Sequence, residues 1–283
     1  MSIKASNVRY YYGSSFVRLD CFRVERAETE TYDNWWIETP YVEVPGKGVG
    51  VLIQGGIHSS FSQLSHKVRR FGSEGFKVIC LSQSGAANVR KAHFYREEGF
   101  RNFISRDREA MNRLRTPKVI LYGSSLGAAA SIALASQQWG KVHAVIVVNP
   151  ASLMRQSSLR MEWNFLLSGL RDKVEKDFEP PPTRGPGLLN ALREELFGPV
   201  SRLMASDAGL WYLERVQCPV LIYTGEQDRV FPAERLMELG ERYSHVEVIK
   251  VPDFIHSDPN SEAKIDFVVT DALKKLAEKG VRL

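Results

Sequence analysis

The sequence predicts an α/β fold, with a mostly parallel central sheet, helices on both faces and a helical lid insertion. Three observations predict it. Short apolar runs rich in Val and Ile recur at residues 49–54, 76–81, 118–122, 142–148, 219–223 and 246–251, without the polar alternation of half-exposed strands. Segments of helical period separate most of these runs, as crossover helices between parallel strands require. The chain has 283 residues, enough for one large α/β core carrying an insertion.

Residues 16–44 alternate in polarity, as in Val17-Arg18-Leu19-Asp20-Cys21-Phe22-Arg23-Val24, and read as an antiparallel start closed by Pro45-Gly46. From there strand and helix alternate. A buried-type strand at 49–54 leads to a helix at about 63–74, a strand at 76–81, a helix around 103–114 and a strand at 118–122. The Ala-rich stretch 128–138 makes the helix that starts near Leu126, and the apolar strand 142–148 is closed by Asn149-Pro150. After Pro150 the rhythm breaks. Residues 152–178 read as helix, Glu179-Pro180-Pro181-Pro182 and Gly185-Pro186-Gly187 as a stiff loop, and 188–203 as helix again. Residues 151–215 are therefore expected to form a helical cap between a core part at 1–150 and a core part at 216–283. A cap so placed is expected to lie over the carboxyl edge of the sheet, where ligands bind in open α/β sheets. The last strand at 246–251 is followed by a helix at about 262–279.

Composition narrows the function classes. Hydrophobic residues make up 43% and charged residues 25%, which suits a soluble globular chain. The net charge of +5 does not point to nucleic acid, because the basic residues of 90–115 are mixed with Glu97, Glu98, Asp107 and Glu109, the pattern of a solvated amphipathic surface. No apolar run is long enough to span a bilayer, and the first thirty residues hold no export signal, so a cytoplasmic location is expected. Cys21, Cys80 and Cys218 are odd in number and widely spaced; they suggest neither a disulfide framework nor a metal site, and Cys80 and Cys218 read as small buried hydrophobes.

The chemistry centres on Gly123-Ser124-Ser125-Leu126-Gly127, a G-x-S-x-G pattern between a predicted strand and a predicted helix. A sharp turn there lifts Ser125 into an exposed, strained position, and Gly123 and Gly127 let the strand and helix backbones pass closely. A serine hydroxyl needs a base, a group to orient that base, and donors for the oxyanion. Asp228 stands just past the strand 219–223, with Glu226 in the same loop as its rival. His256 follows the strand 246–251 and can take and return a proton near neutrality. His66, His93, His143 and His245 lie on helix, charged surface or strand ends, and His58 precedes Ser125 in the chain. The expected oxyanion donors are the backbone N–H groups of Leu126 and of Ile57, with Gly56 next, because Gly55-Gly56 leaves that loop open to close approach.

Taken together, these residues resemble the α/β-hydrolase family. The order Ser125, Asp228, His256 is the family's order of nucleophile, acid and histidine, and the insertion falls where the family often carries its cap. Two departures stand beside the likeness. Gln54 precedes Gly55-Gly56 where many members have a histidine, and the loop Ser82-Gln83-Ser84-Gly85-Ala86-Ala87 lacks the Asp common in relatives. The resemblance implies a serine hydrolase acting on carboxylic esters through an acyl-enzyme, with a small-molecule acyl substrate and neither cofactor nor metal. Met154, Leu159, Met161, Trp163, Phe165, Leu166, Leu167, Phe197, Trp211 and Tyr212 supply apolar side chains for an acyl pocket or for packing the cap. A thioesterase or acyltransferase, an amidase, a lactonase or a cofactor-free haloperoxidase would carry the same triad, and a ligand-binding member with an unused triad is the alternative of another class. The sequence carries no sign of an oligomeric state.

Overall fold

Nine strands build one sheet among the described residues, in the spatial order β1-β2-β3-β5-β4-β6-β7-β8-β9. The computed structural model describes residues 8–12, 15–25, 36–56, 59, 61–81, 97–138, 140–157, 159–161, 163–164, 199–256 and 261–283. Strands β1 (Val8–Tyr12), β2 (Ser15–Glu25) and β3 (Trp36–Val44) pair antiparallel, and β3 joins the rest antiparallel to β5 (Lys77–Leu81), with Val42 opposite Cys80. The other neighbours, β4 (Gly50–Gln54), β6 (Val119–Ser124), β7 (Val142–Val148), β8 (Val220–Gly225) and β9 (Val246–Val251), run parallel to β5 and to each other.

The parallel strands are covered on both faces, which is why their sequences are continuously apolar. Every residue of β4, β6 and β8 is buried. Alternate side chains then feed two separate cores, as the period of two dictates. Leu52, Leu121, Val145, Val147 and Ile222 face α2 (Glu97–Arg113), α3 (Leu126–Gln137) and α6 (Ala233–Arg242). Val51, Ile53, Ile120, Tyr122, Ile146 and Leu221 face α1 (Phe61–Ser73) and α7 (Glu262–Glu278). Each fully buried aliphatic side chain contributes roughly 1.5–3 kcal/mol. Strand β9 forms the edge and is buried only at Val246 and Val251; its Glu247 pairs with Lys275 on α7 (2.6 Å) and with Lys279 just past its end (2.9 Å).

Strands β4 to β9 lie within a residue or two of the expected segments, and β2 and β3 fall in the expected antiparallel start, but β1 precedes it, where no strand is expected; α2 reaches back to Glu97, six residues before the expected helix. The stretch after Pro150 departs from expectation. Residues 151–157 are irregular rather than helical, and among the described residues of the expected helix 152–178 helical turns appear at 159–161 and 163–164. The cause is tertiary. Ser152 adopts φ 66° and exchanges backbone bonds with distant chain, donating to Met204 O (3.0 Å) and accepting from Gly209 N (2.8 Å). Helix α4 (Pro199–Met204) coincides with the end of the helix expected over 188–203, whose residues 188–198 lie outside the described residues. A further short helix, α5 (Ala208–Leu213), had no signal of its own; Gly209 packs so tightly on Ser152 that a Cβ there would stand 2.5 Å from the carbonyl oxygen. Residues 165–198 of the expected cap lie outside the described residues.

Candidate active site

Strand β6 hands over to α3 at Ser125, which takes φ 52° and ψ −118° and is buried rather than exposed as expected, because the glycine pair of the neighbouring loop packs against it. A non-glycine residue at positive φ is strained, and the strain persists only where the surroundings over-determine it. Here they do. Ser125 N donates to Val148 O (3.0 Å), while its carbonyl accepts from Ala128 N (3.0 Å) and Ala151 N (3.2 Å). Glycine makes the turn possible on the other side. A Cβ on Gly127 would stand 2.4 Å from Gly55 O and 2.5 Å from Gln54 O, so α3 abuts the end of β4 with no room for a side chain. Gly56 passes so near that a Cβ on it would meet Ser125 Cβ at 3.1 Å. The glycine pair thus brings open backbone beside the hydroxyl-bearing residue. Leu126 follows at the first position of α3; Ile57, the other expected oxyanion donor, lies outside the described residues, as do His58 and the loop 82–87.

Beneath the glycine pair runs a buried polar network that sequence reading did not identify. The Gln54 amide, with its nitrogen turned toward its acceptors, donates to Gly127 O (3.0 Å) and Asp107 Oδ2 (3.1 Å). The other carboxylate oxygen accepts from Arg106 Nε (2.9 Å) and Nη2 (2.8 Å). Arg106 is 2% exposed and Asp107 0%, so this part of 90–115 is not the solvated surface expected of it. Burial pushes the Asp107 carboxyl upward, and the Arg106 charge and hydrogen bonds pull it back. A signal was present: Ile104, Asp107, Met111 and Leu114 recur at helical spacing, placing an acid on the apolar face of α2.

The candidate acid and base meet. His256 Nδ1 lies 2.9 Å from Asp228 Oδ2, with side chains 8% and 0% exposed. Asp228 leaves β8 three residues after Gly225, and its second oxygen accepts from Val230 N (2.8 Å) and Phe231 N (3.0 Å). One carboxylate therefore both shapes its own turn and orients the imidazole. An ionised carboxylate only accepts, so the ring carries a proton on Nδ1. The Phe231 ring meets His256 edge-on at 5.2 Å between centroids and walls one side of it. Glu226 points elsewhere and pairs with Lys250 (3.2 Å) at the surface. His66 bonds Asp266 (2.9 Å), and His245 Nε2 lies 3.1 Å from Leu213 O. Burial, and Lys118 after it, lower the pKa of His143 on β7. His93 lies outside the described residues.

Met154 and Met161 are buried in the same apolar cluster as Leu126 and Phe231, whereas Leu159, Trp163 and Trp211 are exposed. Tyr212 is partly buried against Phe100. Phe165, Leu166, Leu167 and Phe197 lie outside the described residues. Among the described residues no group of three or more His, Cys, Asp or Glu side chains could hold a metal ion, and no helix is long and apolar enough to cross a membrane.

Residues 51–262 match the family model described as "Alpha/beta hydrolase family". No curated protein matches the chain by sequence. Solved structures do. A carboxylesterase structure from the thaumarchaeon Nitrososphaera gargenis is 16% identical with a TM-score of 0.58, covering 96% of this chain and 100% of its own. A putative lipase from Acinetobacter baumannii is 17% identical with a TM-score of 0.60, covering 92% and 93%. A bromoperoxidase from Bacillus anthracis is 19% identical with a TM-score of 0.58, covering 86% and 96%. Likeness at these identities speaks for the fold.

Proposed function

The chain belongs to the α/β-hydrolase family, and from that premise we propose that it is a serine hydrolase cleaving carboxylic esters of small molecules. The observation that carries the reading is the buried His256–Asp228 pair at 2.9 Å, on loops at the same sheet edge as the strained Ser125. In this reading Ser125 Oγ attacks the acyl carbon. Because Nδ1 is committed to Asp228, Nε2 of His256 takes the hydroxyl proton and returns it to the departing alcohol. Asp228 holds the tautomer and stabilises the imidazolium. The backbone N–H of Leu126, together with that of Ile57, binds the tetrahedral oxyanion. Water then attacks the acyl-enzyme with His256 again as base, releasing the acid and regenerating Ser125. Met154 and Met161, buried in the same apolar cluster as Leu126, contribute apolar wall for an acyl chain.

Hydrolysis of short p-nitrophenyl esters, with Ser125→Ala alongside, tests the proposal. Turnover abolished in the variant, and fluorophosphonate labelling of the parent at Ser125, is the expected result. Neither turnover nor labelling in the parent would overturn it and leave a ligand-binding protein. A series of esters, thioesters, amides and lactones then ranks the acyl classes by kcat/KM, with esters expected first.

A further inference from the structure

We infer that Asn149 is a positioning residue whose side-chain amide holds the Asp228 and His256 loops in register with the strand end that carries Ser125. The inference rests on the triad reading above and adds a residue which that reading does not use. Asn149 follows the last residue of β7, is fully buried and takes φ 45°, a region asparagine tolerates better than most residues. Its backbone N–H donates to Tyr223 O (2.8 Å), which is the final step of the β7–β8 ladder. Beyond that step the strand has ended, and the side chain continues the pairing. Asn149 Oδ1 accepts from Gly225 N (2.9 Å). Nδ2 donates to Ile255 O (3.0 Å), with His256 O at 3.5 Å.

Three loops meet on this one amide. Gly225 opens the acid loop, and it sits so close to the histidine loop that a Cβ on it would stand 2.1 Å from Phe254 O. Gln227 N donates to Phe254 O (3.1 Å), so the two loops are already stapled to each other. Asn149 ties that staple to β7. The step back to the nucleophile is short: Val148, its neighbour in sequence, accepts the hydrogen bond from Ser125 N (3.0 Å). The chemistry demands an amide. One end must accept a backbone N–H and the other must donate to carbonyl oxygens, which a carboxylate or an aliphatic group of the same size cannot do. A buried group with both ends satisfied also fixes orientation, because any rotation leaves a polar atom unpaired.

The test compares the parent with Asn149→Gly, which accepts φ 45° without strain and removes only the amide. Three readings are taken: kcat and KM on a short p-nitrophenyl ester, the rate of fluorophosphonate labelling at Ser125, and the downfield proton resonance of the His256 ring, assigned by its loss in His256→Ala. The expected result is cooperative unfolding like the parent's, KM within about twofold, and kcat and labelling rate down about a hundredfold, with the ring proton shifted or lost. A folded variant with parental kcat, labelling rate and resonance would overturn the inference, since a merely structural residue leaves the ring proton in place. If Asn149→Gly does not fold, the nearly isosteric Asn149→Asp serves, with the same outcomes deciding. If the parent neither turns over nor labels, the hydrolase reading fails by itself, and the ring resonance alone decides whether Asn149 positions the His256–Asp228 pair.

Discussion

Asp228 divides its carboxylate between two tasks: Oδ2 meets His256 Nδ1 at 2.9 Å, and Oδ1 accepts the backbone N–H groups of Val230 and Phe231. The division makes Asp228→Asn informative. An Asn side chain can keep the bonds to 230 and 231 through its oxygen, so the turn should survive. Its NH₂ then faces His256 and selects the tautomer with the proton on Nε2, which cannot take one from Ser125. Ester turnover should fall by about four orders of magnitude, with the denaturant midpoint close to the parent's. Glu226→Gln should leave kcat unaltered, because that carboxylate serves Lys250. Steady-state kinetics on both variants check the assignment.

The backbone at Ser125 predicts a trade of stability against function. Its positive φ carries strain on the order of 1–3 kcal/mol, and glycine relieves it at some cost in unfolded-chain entropy. Ser125→Gly should therefore raise the unfolding free energy by about 1 kcal/mol while abolishing turnover. Ser125→Ala should abolish turnover without that gain, since alanine keeps the strained φ. Urea unfolding of the two variants separates these effects.

Gln54, which precedes the glycine pair, is fully buried, and its burial makes the choice of residue consequential. Gln54→Leu removes the N–H groups that reach Gly127 O and Asp107 Oδ2. Gly127 O keeps the hydrogen bond from Ser131 Oγ (2.9 Å), but the buried Asp107 Oδ2 loses its Gln54 donor, which costs about 1–3 kcal/mol, and the end of β4 loses its side-chain tie to α3. Lower thermal stability together with a reduced kcat is the expected outcome; a variant equal to the parent in both would show that the network is idle.

A pH dependence follows from the fully buried Lys67 and Cys80. Burial lowers the Lys67 ammonium from 10.5 to about 8, with Cys80 raising it slightly in return, and burial pushes the Cys80 thiol from 9.0 up to about 12. Between about 8 and 10.5 the unfolded chain still holds the lysine proton while the folded chain has released it, so this group makes stability rise with pH. Cys80 acts oppositely from 9.0 to about 12, where only the unfolded chain has ionised its thiol. The difference in unfolding free energy between the parent and Lys67→Met isolates the first effect. It should shift in the parent's favour by about 3 kcal/mol between pH 7.5 and pH 11, as read by denaturant titration at each pH.

Strands β2 to β9, the sharp turn at Ser125 and the candidate pair of Asp228 and His256 were legible in the amino-acid sequence alone, whereas β1 was not. Continuous Val and Ile runs have one stable home, a sheet covered on both faces, and Gly123 and Gly127 announce a close backbone crossing wherever they stand. What the tertiary structure alone decided is which groups meet. Asp228, not its loop neighbour Glu226, faces His256. Asp107 leaves the surface expected of it to join Gln54, and Asn149 links loops separated by more than seventy residues. Residues 151–157 are irregular because Ser152 bonds to chain some fifty residues away, against its local propensity. The physical reason is common to all of these. Apolar periodicity records which side of an element is buried, whereas a hydrogen bond between distant side chains depends on strand order and loop register, and no local pattern encodes them.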